Sequence, residues 1–180
     1  PEGDGHAQCR FIARFDWLKK ELSIDESLLP PQECKGFKEF HESVSPRSAV
    51  LIFPVSHMNS PASMFGHTLL RIDSDKESKL FSWAVNYSAR TGETNGLFFA
   101  IKGIFGYYEG FFGVLPYYEK IKEYSNLENR DIWEYSLEFT PDEVERMFLH
   151  LWELKDIYTD YYFFDENCSY NLLLVLEAAR

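Results

Sequence analysis

The sequence lacks both an excess of basic residues and a long hydrophobic run free of charges. Its 18 Lys and Arg residues stand against 29 Asp and Glu residues, which gives a net charge of −11. A surface with this charge repels nucleic acid and anionic lipid headgroups, so we expect neither to be held by charge. The most apolar stretch, 97–115, contains Lys102 and Glu109, which excludes a simple membrane-spanning helix.

The chain also has no initiator methionine and no signal peptide, and its last helical pattern is still running at Arg180. With 180 residues it is long enough to bury a substantial core. We therefore expect residues 1–180 to form a single domain that is a fragment of a longer protein.

Cysteine is scarce, with three in the chain. Cys9 and Cys34 share a polar, proline-containing N-terminal region. A disulfide between them would contribute about 3 kcal/mol and imply an oxidising compartment. The alternative is two unrelated free thiols in a cytosolic protein. Cys168 lies far from both, which makes it a candidate free and reactive thiol.

Aromatic residues are abundant: 16 Phe, 11 Tyr and 4 Trp. They fill a large core, or they line a groove for an apolar ligand.

The hydrophobic patterns predict an α+β fold in which an antiparallel sheet packs against helices. Helices are expected over 10–22 and 34–43, from 141 onward behind a Thr140 cap, and from Cys168 to the end. Strands are expected over 49–55, 66–73, 79–88 and 131–139, the last with Trp133 and Tyr135 pointing inward. Residues 92–118 are rich in glycine and aromatics, and we expect a long excursion with some helix there.

The predicted terminal helix places Cys168 in its first turn. Leu172, Val175 and Ala179 share a face with the cysteine, so this side of the helix should dock on the core. Unpaired N–H groups and the helix dipole stabilise a thiolate at this position, and the same N–H groups can stabilise an acyl oxyanion. The alternative is that Cys168 is a small buried hydrophobic residue.

His67 is the candidate general base, because it opens a strand directly after a glycine and a loop of small residues. Asn86, on the small and polar face of the next strand, is the candidate third residue that orients the imidazole. The candidate substrate-binding residues are Ser60 and Ser63 before the histidine and Asn167 before the cysteine. Zinc held by His57, His67, Cys168 and Asp165 is a competing reading, but no ligand spacing matches a known zinc pattern, so neither a metal nor a cofactor is expected.

Two stretches resemble a known family. NSPASMFGHTLLRID, from Asn59 to Asp73, resembles the histidine motif of the N-terminal periplasmic domain of the Lnb lipoprotein N-acyltransferases, and FDENCSYNLL, from Phe164 to Leu173, resembles its cysteine motif. The segment FFGVLPYYEKIKEYSNLENRDIWEYSLEFT and the early CRFIAR are also similar. The resemblance covers nearly the whole chain.

This resemblance implies a circularly permuted NlpC/papain-like fold, similar to lecithin:retinol acyltransferase, with the histidine before the cysteine. It implies that His67 and Cys168 form a catalytic pair in a periplasmic, membrane-associated enzyme. The expected reaction moves a fatty acyl chain from phospholipid, through a Cys168 thioester, to the N-terminal amine of a lipoprotein. The alternatives are an NlpC-type cell-wall peptidase or amidase, a lipid-ester hydrolase, and a non-catalytic binding domain of the cell envelope.

Overall fold

The fold is described from a computed structural model. It covers residues 3–54, 67–75, 78–92, 95–122 and 131–180, apart from the side chain of residue 80.

Six antiparallel strands form one sheet in the described residues, in the order β5-β1-β2-β3-β4-β6. The strands are β1 (Ser48–Pro54), β2 (Leu69–Asp73), β3 (Trp83–Ala89), β4 (Tyr108–Pro116), β5 (Ile132–Ser136) and β6 (Tyr158–Tyr161). The fold is therefore α+β with an antiparallel sheet, as the sequence predicts.

Seven α-helices accompany this sheet in the same residues: α1 (Ala7–Arg10), α2 (Ile12–Glu21), α3 (Lys35–Val44), α4 (Gly96–Ile104), α5 (Tyr117–Lys122), α6 (Pro141–Leu154) and α7 (Cys168–Ala179). Short 3₁₀ turns span Gly3–Gly5 and Lys79–Phe81. Within the described ranges, no helix has the length and apolar character needed to cross a bilayer.

The main core lies between the sheet and helices α6 and α7. Alternate side chains of β2 and β3, such as Leu70 and Val85, face this core. From α7, Leu172, Val175 and Ala179 enter the same core. The predicted apolar face of the terminal helix is therefore confirmed, and Cys168 is the first residue of that helix. The opposite face of the sheet carries a smaller cluster that includes Ala84 and Tyr117 of α5.

Helix α6 begins as predicted. The Thr140 hydroxyl accepts a hydrogen bond from the Glu143 N–H, and the Glu143 carboxylate accepts one from the Thr140 N–H, with Pro141 in the first turn.

The glycine-rich region 92–118 contains a helix, α4, and also a nine-residue strand, β4, which the sequence does not reveal. β4 pairs with β3 from Trp83–Pro116 to Ala89–Gly110. Glycine at position 110 has a specific reason, because a Cβ there would collide with the Tyr87 hydroxyl. Gly110, which weakens the strand pattern in the sequence, thus makes room for a side chain of the neighbouring strand.

The prediction that Trp133 and Tyr135 point inward is wrong. Their exposed fractions are 60% and 53%, whereas Leu137, two residues further, packs on the main core. β5 is an edge strand, and the helical layer covers only the end of it that leads to α6.

Cys9 and Cys34 form the predicted disulfide, with a Cα–Cα distance of 5.2 Å. It links α1 to the residue that precedes α3. The Trp152 indole N–H of α6 donates to the Cys9 carbonyl over 2.8 Å, which joins this N-terminal region to the main core.

Candidate active site

A pocket of about 160 Å³ opens where α7 begins, beside the start of β2 and the ends of β3 and β6. His67 and Cys168 both line it, together with Tyr87, Phe99 and Tyr161. The structure therefore brings the predicted base and the predicted nucleophile into the walls of one cavity.

Cys168 is a free thiol with 5% of its surface exposed. Asn167 caps the helix behind it, because its Oδ1 atom accepts hydrogen bonds from the N–H groups of Ser169 and Tyr170 over 3.0 and 3.3 Å. The Asn167 amide also donates to the Phe163 carbonyl over 3.2 Å. Asn171 donates back to the Glu166 and Asn167 carbonyls over 3.2 and 3.1 Å, which fixes the turn that presents the sulfur.

Two hydroxyl groups join the two motifs. Thr68 Oγ1 and Ser169 Oγ lie 2.7 Å apart, within hydrogen-bonding distance. Each follows a candidate residue in the chain, since Thr68 comes after His67 and Ser169 after Cys168. This bond ties the entry to β2 to the first turn of α7. Sequence reasoning missed it, although a hydroxyl residue directly after each candidate was visible.

The structure does not bring Asn86 into the walls of this pocket. Val85 belongs to the core under the helices and Ala84 to the cluster on the other face, so alternation along β3 places Asn86 on the face of Ala84. Its Oδ1 atom is buried and accepts no hydrogen bond from the part of the chain that the structure describes. Its role as the orienting residue stays a prediction.

Of the candidate substrate-binding residues, Asn167 lines the pocket. Ser60 and Ser63 lie outside the described residues, as does His57. Within those ranges, no group of three His, Cys, Asp or Glu side chains is close enough to hold a metal ion.

Aromatic rings make up much of the pocket wall. Tyr161 stacks on Tyr87 with centroids 5.5 Å apart and planes 15° apart, and Phe99 packs on Phe163 at 5.0 Å. The Tyr87 hydroxyl is hydrogen-bonded to Thr159. The sequence shows 158–164 as an aromatic segment just before the cysteine motif, and that proximity is the signal that could have placed these rings in the site.

Both wall tyrosines remain protonated at neutral pH. Burial, and then the negative charge of a Cys168 thiolate, raise the pKa of Tyr161. Burial also raises the pKa of Tyr87, against the hydrogen bond from Thr159 and with the help of the Glu166 and Asp160 carboxylates. The wall therefore offers neutral phenol groups that can donate hydrogen bonds.

Of the comparisons with known proteins, the one with protein families gave a match. Searches of curated proteins and of solved structures gave no match. The family model described as the Lnb N-terminal periplasmic domain matches residues 36–180, which contain both motifs and the whole sheet. The chain belongs to the Lnb family through its N-terminal periplasmic domain, which places it outside the cytoplasm and in the context of lipoprotein modification.

Proposed function

We propose that this domain is a thiol-dependent acyltransferase that moves a fatty acyl chain from a phospholipid to the N-terminal amine of a lipoprotein. The observation that carries the proposal is a free, buried thiol on the first residue of a helix, in one pocket with a histidine. A helix N-terminus stabilises a thiolate, and a neighbouring histidine can take up the thiol proton.

In the first step, His67 accepts the Cys168 proton and the sulfur attacks the ester carbonyl carbon. The ester C–O bond then breaks, and the lysophospholipid oxygen leaves with the proton that His67 carries. In the second step the amine attacks the thioester carbonyl and gives up a proton to His67, the C–S bond breaks, and this proton passes to the sulfur to restore the thiol. The sum is an ester and an amine converted into an amide and an alcohol, with no oxidant or reductant required.

Helix α4 supports a membrane source for the acyl donor. Four residues of α4 and the residue directly after it are apolar and 41–69% exposed: Leu97, Phe98, Ile101, Ile104 and Phe105. We call this set the α4 apolar surface. From the same helix, Phe99 lines the pocket, and Gly103 lies against the ring of Phe163, where a Cβ would collide. Lys102 is the one charged residue of α4, so the acidic character of the chain does not extend to it.

A contiguous apolar surface of this kind marks an interaction site. We infer that the α4 apolar surface rests on the lipid headgroup region and holds the pocket at the bilayer, where phospholipid esters are found.

The test is incubation with a phospholipid that carries a labelled acyl chain. We expect a hydroxylamine-sensitive adduct on Cys168 that is absent from Cys168→Ala. His67→Asn should slow its formation by about 10²-fold or more, as expected for loss of a general base. A folded wild-type domain that never acquires label from phospholipid would overturn the proposal.

The acceptor is tested by adding a diacylated lipopeptide with a free N-terminal cysteine to the acylated domain. The expected product is the N-acylated lipopeptide. Release of free fatty acid alone would instead identify the domain as a lipid-ester hydrolase, since water would then have taken the place of the amine.

A further inference from the structure

Tyr161 is the last residue of β6 and lines the pocket together with Cys168. Burial, and then the charge of a Cys168 thiolate, raise the pKa of Tyr161, so its hydroxyl lies close to the sulfur. The ring is held on one side by stacking on Tyr87 and on another by the edge of Phe163, with centroids 6.2 Å apart. Since the Tyr87 hydroxyl is already bonded to Thr159, the supporting ring is itself fixed.

Acyl transfer through a thiol places negative charge on the carbonyl oxygen twice, once in each step. Enzymes stabilise this oxygen with preorganised N–H or O–H donors, commonly the first amides of a helix. In α7 the amides of Ser169 and Tyr170 already donate to Asn167 Oδ1, and that of Asn171 donates to the Asn167 carbonyl. The Cys168 N–H is therefore the amide of the first turn that remains available, and Tyr161 lines the same pocket as Cys168.

We propose that Tyr161 is a catalytic residue whose hydroxyl, together with the Cys168 backbone N–H, donates a hydrogen bond to the acyl oxyanion. As the C–S bond forms, the carbonyl π electrons move onto oxygen, and the phenol O–H donates to that oxygen without giving up its proton. When the C=O bond re-forms and the leaving group departs, the charge leaves the oxygen and this hydrogen bond weakens. The inference rests on the thiol acyl chemistry proposed above, but not on the identity of the acyl donor or acceptor.

Tyr161→Phe separates this role from simple positioning of the thiol, because it keeps the ring and its stacking on Tyr87. Two reactions of Cys168 are compared: acylation by a soluble p-nitrophenyl ester and alkylation by iodoacetamide. Only acylation passes through an oxyanion. We expect the acylation rate to fall by about 10²-fold or more, the usual effect of removing one oxyanion donor, while the alkylation rate stays near that of the wild type.

The matched control is Tyr158→Phe, the same change on the same strand at a position that is 58% exposed and outside the pocket. It should leave both rates unchanged. Thermal unfolding of all three proteins checks that the fold is retained. Equal losses of acylation and alkylation in Tyr161→Phe would overturn the inference, as would unchanged acylation.

The soluble ester also distinguishes this inference from the proposed function. Tyr161 dependence with the p-nitrophenyl ester, but no labelling by phospholipid in the wild type, would leave the catalytic role intact and refute the lipid donor. Labelling by phospholipid that is unchanged in Tyr161→Phe would support the lipid donor and refute the catalytic role of Tyr161.

Discussion

Asn167, Cys168 and Ser169 follow one another at the start of α7, and each makes a different contact. Asn167 closes the helix end, Cys168 enters the pocket, and Ser169 reaches across to Thr68. The sequence leaves the cap between Asp165 and Asn167, and it predicts the position of Cys168 from the apolar face shared with Leu172. It does not predict the third, because a hydroxyl–hydroxyl bond between distant residues leaves no periodic pattern.

The cap at Asn167 can be tested separately from the thiol. Asn167→Ala removes the acceptor of two hydrogen bonds and should lower the free energy of unfolding in urea by about 1 kcal/mol. Asn167→Asp keeps the acceptor and should keep most of the stability. Thr140→Ala, at the cap of α6 far from the pocket, should cost a similar amount.

The two cap variants should differ in chemistry. We expect acylation of Cys168 to slow in Asn167→Ala but not in Thr140→Ala, because only the first loosens the turn that holds the sulfur. Equal acylation rates at matched folded fractions would mean that the Asn167 cap does not position the nucleophile.

At the scale of elements, the sequence predicts a helix or strand correctly where one of its faces is buried. It misses a strand where a glycine or an exposed edge position interrupts the apolar pattern. β1, β2, β3, α6 and α7 are evident from apolar periodicity and capping, although β3 begins only at Trp83 after a 3₁₀ turn. β4 is hidden by the glycine that admits Tyr87, and β6 is a short, mostly exposed edge strand. The sequence correctly predicts that Asn86 lies on a strand, but the pattern of that strand does not show which face of the sheet the pocket occupies.

The α4 apolar surface gives a prediction at this scale. Leu97→Glu places a charge on a side chain that is 69% exposed, at a helix N-terminus where an acid is tolerated. We expect weaker co-sedimentation with phosphatidylcholine vesicles and slower labelling by phospholipid, while reaction with the soluble ester is unchanged. Leu28→Glu, a comparable change at an 83% exposed position outside the helices, should affect none of these. Equal vesicle binding by the two variants would count against a lipid contact at α4.

At the scale of the whole molecule, the N-terminal region supports the site through α6. The disulfide holds α1 beside α3, Trp152 bonds to the Cys9 carbonyl, and the Arg14 N–H donates to the Glu153 carboxylate over 2.9 Å. α6 in turn packs on α7, where the Arg146 guanidinium donates to the Ala179 carbonyl over 2.9 Å. Residues before 36 lie outside the family match, yet they contact the helix that supports α7.

Removing the disulfide should therefore weaken the fold without changing the chemistry of the pocket. The Cys9→Ala/Cys34→Ala double variant opens a link of sequence separation 25, and its free energy of unfolding in urea should fall by about 3 kcal/mol. Reductant should destabilise the wild type by a similar amount and leave the double variant unaffected. Below its unfolding midpoint, the variant should still show one titratable thiol, Cys168, that reacts with the soluble ester at the wild-type rate. If acylation is lost while the protein remains folded, the N-terminal region positions the catalytic residues directly, and its contribution is not limited to stability.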